Sequence, residues 1–481
     1  MREPSWAPDL AEIPGPKYKA IAEAMALDIQ SGTLKAGDKL PPHRELSWHL
    51  GVTVGTITRA YQEAERQGLV IGEVGRGTYI TGAQKRNLRS TRGASFDFPY
   101  PYNPVPATDD PNASIKLDVN YPPPCGQEEA FIKSMQEIMA APDMSRFLSY
   151  QSNAGMEEHR EAAAIWTRQR LPSATTRNTI ITCGAQHSVF AALSAVTNPG
   201  DMVVLEELNH VGIKSIARNL NIKLHGLPCD DQGLIPEALE QYLTHHRVSA
   251  LSTVCTPNNP TNVSLSLERR KQIAEICVRH NVMIVEDDIF AMLLVDPLPP
   301  ISSFAPEHSI YCSSISKTLS PGLRVGSITA PEHLLPSMEA AIRATSGMAS
   351  PLTVEVFSRW VHSGWATKLV DNLLKELAAR HEIFKEKFDT VNAKYTLPKY
   401  TMHGWLEIPE PHMAADFVLS AQRRGVQIST SGAFVVGRRN IPQAVRICIG
   451  APRQRETLAK AIDILVGIYK DNSAGTDADF Y

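Results

Sequence analysis

The sequence has few cysteines, and their spacing argues against the usual cysteine-based frameworks. Its 481 residues include seven cysteines, an odd number, and no two of them form a Cys-x-x-Cys pair. Disulfide frameworks use an even number of cysteines, and structural zinc sites use closely spaced pairs. We therefore expect neither a disulfide framework nor a metal site, and a reducing cytoplasm fits this cysteine usage best.

Long apolar runs are also lacking. No stretch reaches the roughly 18 apolar residues of a membrane-spanning helix, and residues 1–4 lack the basic and then apolar pattern of a signal peptide. The hydrophobic fraction of 43% and the charged fraction of 21% are ordinary for a globular protein. We expect a soluble, cytoplasmic protein of two or three domains without a membrane partner.

The first 80 residues have the hydrophobic pattern of a small helical domain followed by a wing. Apolar residues recur at the spacing of one buried helix face in three stretches, which predict helices over about 16–32, 43–50 and 53–68. Thr53 is placed to cap the third helix. Two short helices joined by a tight turn form a helix-turn-helix. Strands over 69–72 and 76–80 around a glycine-rich turn complete a winged helix.

Three motifs in this region resemble the DNA-binding domain of GntR-type bacterial regulators. They are Leu40-Pro41-Pro42-His43-Arg44-Glu45-Leu46, Thr56-Ile57-Thr58-Arg59-Ala60-Tyr61 and Gly75-Arg76-Gly77-Thr78-Tyr79-Ile80. The resemblance covers nearly all of residues 16–81 and implies that the third helix enters the major groove of DNA and the wing touches the minor groove. The DNA contacts that it implies are Arg44, Thr53, Thr56, Arg59 and Arg76. Val54 and Gly55 depart from the arginine and asparagine common in the family, although a valine methyl can contact a thymine methyl.

The composition changes over residues 82–115. Four basic residues between 85 and 92 are followed by five prolines between 99 and 111. This is typical of a linker that is basic first and stiff afterwards, and its basic half either follows DNA phosphates or is merely solvated. We assign residues 1–81 to the winged helix, 82–115 to the linker and 116–481 to a second domain, with a smaller α+β subdomain over about 350–470.

Strand and helix patterns alternate in the second domain. Seven apolar β-type runs lie between Thr179 and Thr329, and helical patterns occupy 186–196, 236–242 and 267–280. This alternation predicts an α/β fold with a mostly parallel sheet covered by helices. Ligands of such folds bind at the carboxyl ends of the strands, where Lys317 falls.

The stretch from Ser313 to Gly326 carries the strongest chemical signal. Lys317 follows a β-type run and is flanked by hydroxyl groups. Burial and a neighbouring cation lower the pKa of an amine, which enables a lysine to hold a carbonyl compound as a Schiff base. Ser314, Ser316 and Arg324 together are suited to a phosphate group. The alternative is a surface lysine in a serine-rich loop.

Three further motifs follow predicted strands and supply partners for this lysine. Gly184-Ala185-Gln186 opens a helix, so its backbone amides and the helix dipole are suited to a phosphate. Asn259 lies in the tight turn Asn258-Asn259-Pro260-Thr261, and Asp287 lies in Glu286-Asp287-Asp288 at the end of a strand. Each motif alone is typical of an ordinary turn after a strand.

In this order and spacing, the motifs resemble the fold-type I, pyridoxal 5'-phosphate (PLP)-dependent aminotransferases over roughly residues 117–470. The resemblance implies that Lys317 forms the internal aldimine with PLP and that Asp287 pairs with the protonated pyridine nitrogen. Asn259 would donate a hydrogen bond to the phenolic oxygen of the ring. The residues implied for the phosphate are Gly184, Ala185, Gln186, Ser314, Ser316 and Arg324.

The same resemblance implies two outer contacts and exposes three departures. Tyr150 matches the tyrosine that reaches the phosphate of the neighbouring subunit, and Arg446 matches the arginine that binds a substrate α-carboxylate. Phe290 replaces a tyrosine that hydrogen-bonds the cofactor, and Asn262 replaces the glycine of an Asn-Pro-Thr-Gly turn. His210 stands where an aromatic ring stacks on the cofactor, and we prefer a stacking imidazole to a metal ligand.

A GntR-type winged helix joined by a basic linker to an aminotransferase-like domain is the architecture of the MocR subfamily of bacterial transcription regulators. The resemblance implies a head-to-tail homodimer that binds operator DNA and senses an amine or amino acid through PLP. Two alternatives remain: a working PLP-dependent aminotransferase with an auxiliary DNA-binding module, and a PLP-free scaffold that only dimerises. Whether transamination is retained stays open at this point.

Overall fold

The computed structural model of the protein describes residues 6–8, 10, 16–35, 37–66, 69–73, 77–80, 113–437 and 441–474. The chain divides into two compact units, Met1–Asp97 and Phe98–Tyr481, and each is described by itself. The predicted linker up to residue 112 and the predicted DNA contact Arg76 lie outside the described residues.

The helices and strands are numbered in chain order. The α-helices of the described residues are α1 (Lys17–Ser31), α2 (His43–His49), α3 (Val54–Arg66), α4 (Gln127–Ala140), α5 (Glu157–Arg168), α6 (Ala185–Val196), α7 (Gly212–Leu220), α8 (Pro236–His245), α9 (Leu267–Arg279), α10 (Leu335–Thr345), α11 (Pro351–Ser363), α12 (Trp365–Phe388), α13 (Ala414–Arg423) and α14 (Arg455–Ala474). The strands are β1 (Val70–Glu73), β2 (Gly77–Ile80), β3 (Ile115–Lys116), β4 (Thr179–Thr182), β5 (Met202–Glu206), β6 (Lys223–Leu227), β7 (Cys229–Asp230), β8 (Gly233–Leu234), β9 (Ala250–Thr253), β10 (Met283–Asp287), β11 (Ser309–Ser314), β12 (Gly326–Thr329), β13 (Tyr395–Thr396), β14 (His403–Glu407), β15 (Val426–Gln427), β16 (Ser429–Thr430) and β17 (Ala444–Cys448).

The N-terminal unit packs α1, α2 and α3 around one apolar core next to the antiparallel β1–β2 pair. Helices α1 and α3 contribute residues at the spacing of one buried face and α2 contributes Leu46, and the core includes Ile21, Met25, Leu46, Ile57, Tyr61 and Ile80. Thr53 Oγ1 accepts a hydrogen bond from the Thr56 amide at 3.2 Å, so Thr53 caps α3 as the sequence predicts. The predicted winged helix is confirmed.

A seven-stranded sheet forms the centre of the second unit. Its strand order is β4-β12-β11-β10-β9-β5-β6. The pairs β5–β6, β5–β9, β9–β10 and β10–β11 are parallel, whereas β12 runs antiparallel to both β11 and β4. The prediction of a mostly parallel sheet is therefore confirmed, with β12 as the one reversed strand of this sheet.

Helices cover both faces of this sheet because its buried strands alternate their side chains between two cores. Val203 and Leu205 of β5 lie in the core shared with α6, α7 and α10, and Val204 lies in the core shared with α8 and α9. On β4, Ile180 lies in the first of these cores and Ile181 in a third, formed with α4, α5 and α11. This two-sided burial is typical of α/β folds.

A smaller antiparallel sheet, ordered β13-β14-β17-β16, lies towards the C-terminus. Its core is shared with α12, α13 and α14. Strand β3, which comes first in the chain of this unit, pairs in parallel with β15, and Leu117 lies buried in the same core. Strands β3 and β15 thus form a separate two-stranded sheet that packs on the core of the C-terminal sheet rather than on the large one.

No helix of the described residues is both long enough and apolar enough to cross a membrane.

Candidate cofactor site and DNA-binding surface

The predicted cofactor residues meet at one edge of the seven-stranded sheet. Asp287 ends β10, Lys317 follows β11 by three residues and Gly184 follows β4 by two. Because β4 runs antiparallel to β12, which is antiparallel to β11, the carboxyl ends of β4, β10 and β11 share this edge. The edge is the expected ligand position of an α/β sheet.

Lys317 is enclosed and poised for carbonyl chemistry. Its Nζ donates a hydrogen bond to the main-chain oxygen of Asn120 at 2.6 Å. Burial lowers the pKa of Lys317 to about 8, and the guanidinium groups of Arg446 and Arg324 act in the same direction. The lowered pKa leaves a larger fraction of this amine uncharged near neutral pH than an ordinary lysine has, and the uncharged amine is the form that attacks a carbonyl. The alternative of a surface lysine is wrong.

Asp287 has a buried oxygen, Oδ1, without a hydrogen-bond partner among the described residues. Burial and the neighbouring Asp288 raise the pKa of Asp287 to about 7, although Lys317 opposes the shift. A buried acceptor without a donor is costly, and a protonated ring nitrogen is a suitable donor for it. The carboxyl group therefore fits the pyridine nitrogen of a PLP ring.

The turn after β4 and the loop after β11 form an anion-binding cradle. Gly184 precedes α6 with φ 91°, so Ala185 and Gln186 lie in the first turn of a helix whose N-terminus favours anions. Arg324 Nη2 donates to the Cys183 oxygen at 3.0 Å. The φ of Gly184 is one that other residues rarely adopt, so the turn favours glycine, and a Cβ atom there would also lie 2.8 Å from Arg324 Nη2.

Ser314 and Ser316 lie beside this cradle. The Ser314 hydroxyl is 3.0 Å from both the Val325 oxygen and Ser316 Oγ, and it accepts from the Ser316 amide at 3.1 Å. These bonds fix the loop that carries Lys317. Both serine side chains are buried, and an oxyanion next to them would gain donors from a desolvated site.

Arg446 joins the small sheet to the large one. Its Nη1 donates to Asn259 Oδ1 at 2.8 Å, and its Nη2 donates to the Asp118 main-chain oxygen. The guanidinium lies 4.6 Å from the centre of the Phe434 ring. Its Nε is buried without a partner among the described residues, which leaves a donor for an incoming carboxylate.

His210, Phe290 and Tyr150 occupy three different environments. Burial, with Arg446 and Lys317 nearby, lowers the pKa of His210 to about 3, and its Nδ1 accepts from the Gly212 amide at 3.2 Å. His210 is thus a neutral ring. Phe290 lies in an apolar cluster, edge-on to the His403 ring at 6.1 Å. Tyr150 is 97% exposed in the single chain.

Sequence reasoning missed Asn120 and His403. Asn120 Nδ2 lies 3.1 Å from His403 Nδ1, and His403 Nε2 lies 3.1 Å from the Pro260 oxygen. The available signal was the position of Asn120 directly before the proline-rich turn 121–124, after a strand-like run. His403 carried no local signal. Asp288, which binds Tyr311 and Arg170, was noticed only as a neighbour of Asp287.

The exposed residues of α2 and α3 form the candidate DNA-binding surface. Arg44 and Arg59 are exposed, Thr53 is exposed, and Thr56 is half-buried. Thr53 Oγ1 and Thr56 Oγ1 are 2.9 Å apart at the start of α3. Trp48, which the sequence reasoning did not select, is 66% exposed one turn after Arg44.

Among the residues that the structure describes, no cluster of His, Cys, Asp and Glu side chains could hold a metal ion.

The fold and the site together define a chain in which a winged helix precedes an aminotransferase fold. The model of the aminotransferase class I and II family matches residues 113–465, and that of the gntR family of bacterial regulatory proteins matches residues 17–80. The chain belongs to the aminotransferase class I and II family and carries a gntR-family helix-turn-helix domain in front of it.

Similar full-length proteins share this arrangement. The chain is 28% identical over 473 residues to the HTH-type transcriptional regulator YdeF of Bacillus subtilis (strain 168), with 97% of each chain covered. It is 27% identical over 464 residues to PtsJ of Salmonella typhimurium (strain LT2), named a vitamin B6 salvage pathway transcriptional repressor, with 94% of this chain and 98% of PtsJ covered. The predicted fusion of a GntR domain to an aminotransferase-like domain is confirmed.

Solved aminotransferases share the fold of the second unit. The multiple substrate aminotransferase of Thermococcus profundus has a TM-score of 0.69 at 23% identity, over 76% of this chain and 93% of the enzyme. The kynurenine aminotransferase of Pyrococcus horikoshii has a TM-score of 0.68 at 24% identity, over 75% of this chain and 92% of the enzyme.

Proposed function

We propose that the protein is a transcription regulator of the MocR subfamily that binds PLP and DNA and senses an amine or amino acid. The observation that carries this proposal is the presence, in one chain, of an exposed helix-turn-helix surface and of candidate groups for the aldehyde, the ring nitrogen and the phosphate of PLP. Relatives named as regulators match it over nearly their whole length. The proposed division is a winged helix over 1–81, a linker over 82–115 and a PLP domain over 116–481.

The residues at the sheet edge would hold PLP by its three polar ends. Lys317 would take the aldehyde, Asp287 the ring nitrogen and Asn259 the phenolic oxygen. Gly184, Ala185, Gln186, Ser314, Ser316 and Arg324 would surround the phosphate, with Tyr150 of a second copy completing that site in a head-to-tail homodimer. When bound, PLP supplies an aldehyde that captures primary amines and a ring that withdraws electrons.

The ligand would be an amino acid or another amine, held in part by Arg446. The unpartnered Nε of this arginine supports binding of an α-carboxylate. The neutral His210 ring supports stacking on the cofactor, since a charged imidazole next to Lys317 and Arg446 would be repelled. Phe290 has no hydroxyl group to bind the phenolic oxygen. This difference favours a binding and sensing role over rapid turnover.

Operator DNA would contact Arg44, Thr53, Thr56, Arg59 and Arg76 in a cytoplasmic protein. Arginine side chains on a helix-turn-helix bind phosphates and guanine edges, and threonines bind phosphates or bases. Val54, which is 43% exposed, offers methyl groups for a thymine.

The cofactor assignment is tested by trapping PLP on the protein with borohydride. Wild-type protein is expected to retain one PLP per chain on Lys317, and Lys317→Ala is expected to abolish the trapped adduct. Lys214→Ala is a matched control, because burial also lowers the pKa of Lys214 and its Nζ donates to a main-chain oxygen at 2.8 Å. A trapped adduct that survives in Lys317→Ala would refute the assignment.

Sensing and catalysis are distinguished by a paired measurement on the full chain. Candidate amino acids are added while the absorbance of bound PLP and the DNA affinity are followed, and keto-acid production is measured separately with several acceptors. We expect spectral and affinity changes with slow or absent turnover. Turnover of about 1 per second or faster, typical of enzymes, together with an unchanged DNA affinity, would instead support the aminotransferase alternative.

A further inference from the structure

The two cationic groups proposed to engage a ligand both donate to one short segment. Lys317 Nζ donates to the main-chain oxygen of Asn120, and Arg446 Nη2 donates to that of Asp118. These oxygens belong to residues 115–121, called the β3 segment below. A ligand amine that displaces Lys317 would therefore change a contact of the β3 segment, and a carboxylate on the Nε of Arg446 would bind next to a second one.

Hydrogen bonding fixes the side chain of Asn120. His403 Nε2 is 3.1 Å from the Pro260 oxygen, which can only accept, so Nε2 carries the hydrogen and Nδ1 is an acceptor. Asn120 Nδ2 must then be the donor in the 3.1 Å contact with His403 Nδ1. Asn120 and His403 are 4% and 0% exposed, so this chain of bonds lies away from water.

The same bonds leave Asn120 Oδ1 buried without a partner among the described residues. Burying an amide oxygen without a donor is unfavourable. The side chain is therefore held by its Nδ2 bond to His403, and this bond also fixes the direction of the adjacent main-chain oxygen that receives Lys317. Asn120 therefore contacts His403 through its side chain and Lys317 through its main-chain oxygen.

The β3 segment also occupies a particular place in the chain. The Leu117 amide donates to the Gln427 oxygen of β15 at 2.7 Å, and the Cys448 amide of β17 donates to the Leu117 oxygen at 2.8 Å, so hydrogen bonds to two strands hold the segment. Its residues are also among the first of the second unit in sequence order, directly after the chain that leads from the helix-turn-helix domain.

We propose that Asn120 and His403 are positioning residues that hold the amine of Lys317 whenever it is not bonded to a cofactor, and that the β3 segment thereby senses whether a ligand amine has released the lysine. This inference rests on the proposed function of the site. A lysine nitrogen in a C=N bond has at most one hydrogen and is drawn to the cofactor, so its contact with Asn120 is lost. Release restores the amine as a hydrogen-bond donor.

The test uses methylamine, a primary amine without a carboxylate, on the PLP-loaded full chain. Methylamine forms a C=N bond to the aldehyde carbon of PLP as the bond from that carbon to Lys317 breaks, so lysine leaves as an amine and no oxidant is needed. Borohydride then fixes PLP either on the protein or on methylamine, and mass spectrometry gives the fraction on Lys317. The measured quantity is the methylamine concentration that displaces half of the lysine.

Asn120→Ala and His403→Phe are each expected to raise this concentration roughly two- to tenfold, the equivalent of one weakened hydrogen bond. The double variant should be no worse than either single variant, because both act through one contact. PLP affinity should stay equal or rise, because the hydrogen bond from the free Lys317 amine to Asn120, which competes with bonding to PLP, is weaker in the variants. Asn262→Gly is the matched control: Asn262 Nδ2 donates to the His403 main-chain oxygen, and its φ of 63° suits glycine.

The inference would be overturned by unchanged half-displacement in both variants, by additive effects in the double variant, or by an equal rise in Asn262→Gly. A fall in PLP affinity in the single variants would point to a merely structural role and would also overturn it. Failure of the wild-type chain to trap any PLP would refute the proposed function instead. The difference in DNA affinity with and without methylamine should shrink in Asn120→Ala.

Discussion

At the scale of single residues, the candidate site contains buried polar atoms without hydrogen-bond partners among the described residues, and burying such atoms costs stability. Asp287 is the clearest case, because burial and Asp288 raise its pKa to about 7 while its Oδ1 lacks a partner among the described residues. The folded protein thus buries a carboxyl oxygen that has no hydrogen-bond donor among the described residues. Residues of this kind are typical of binding sites, where stability is lower than the fold alone would allow.

The pH dependence of stability should reveal Asp287. Its folded pKa lies above the ordinary value, so the folded cofactor-free protein binds the proton more tightly, and stability falls as pH rises from about 4 to about 7. Asp287→Asn removes this loss. The free energy of unfolding of the cofactor-free variant should therefore exceed that of the wild type at pH 8 by at most about 4 kcal/mol, and the two should be equal near pH 4. The measurement is urea unfolding at several pH values.

Asp201→Asn provides a control of opposite sign. Hydrogen bonds from the Asn198 amide and Ser249 lower the pKa of Asp201, so its contribution is present above pH 4 and is lost as pH falls. The affinity for PLP should also distinguish the two variants, because Asp287→Asn lacks the charge that is proposed to pair with the ring nitrogen. Equal pH profiles for wild type and Asp287→Asn would contradict the raised pKa.

The residues found from sequence and those missed differ in how they are recognised. Lys317, Asp287 and Gly184 each follow a strand and lie within a short motif, so local order suffices to identify them. Asn120 and His403 are 283 positions apart and become partners only because β3 pairs with β15 and the following Leu117 bonds to β17. No local sequence pattern predicts the contact between Asn120 and His403.

At the scale of elements, β4, β11 and β12 form the support of the anion-binding cradle. Strand β12 returns from the Lys317 loop and pairs with both neighbours, so Gly326 faces the turn after β4. A Cβ atom on Gly326 would lie 2.7 Å from the Gly184 carbonyl carbon and 2.7 Å from Thr182 Oγ1. The strand and the turn therefore touch through backbone atoms.

Gly326→Ala should displace the turn after β4. We expect the free energy of unfolding to fall by about 1–3 kcal/mol, the usual cost of overpacking. We also expect the variant to lose more affinity for PLP than for the dephosphorylated form of PLP. Gly322→Ala is the matched control in the same loop, since its Cβ would meet only Ser320 Oγ at 3.9 Å. Calorimetry and equilibrium titration measure both effects. Equal behaviour of the two variants would contradict the close packing.

The strands of the large sheet were predictable because fully buried strands appear as short apolar runs bounded by turns. The reversal of β12 was less evident, although residues 315–325 contain no helix that could carry a parallel crossover. Strand β3 is only two residues long and pairs with a strand more than 300 residues away. Two residues are too few to show the alternation of apolar and polar residues that predicts a strand, so this non-local pairing could not be predicted.

At the scale of the whole molecule, the two units carry different kinds of chemistry. The N-terminal unit exposes cations on its helix-turn-helix, whereas the second unit encloses its reactive lysine. The order of the two units was predictable because each has its own local motifs, and the family matches confirm it.

DNA binding by the full chain should depend steeply on salt. Arg44→Ala and Arg59→Ala are each expected to weaken binding and to reduce the slope of log affinity against log salt by about 1, as the loss of one phosphate contact requires. Fluorescence anisotropy with a selected duplex measures this. Arg177→Ala, at an exposed cation of the second unit paired with Glu332, is the control and should leave the slope unchanged. A flat salt response in the wild type would contradict the DNA-binding assignment.

The partition of the site between its two sheets has an evolutionary consequence. Lys317, Asp287 and the Gly184 turn belong to the large sheet, whereas Arg446 and His403 belong to the small one. Arg446 donates a hydrogen bond to Asn259, and His403 contacts Asn120, so a substitution on β14 or β17 also affects groups placed around the proposed cofactor. Under the proposed function, a lineage with this architecture would acquire a new signal through coordinated substitutions around both sheets, because residues in contact do not change independently.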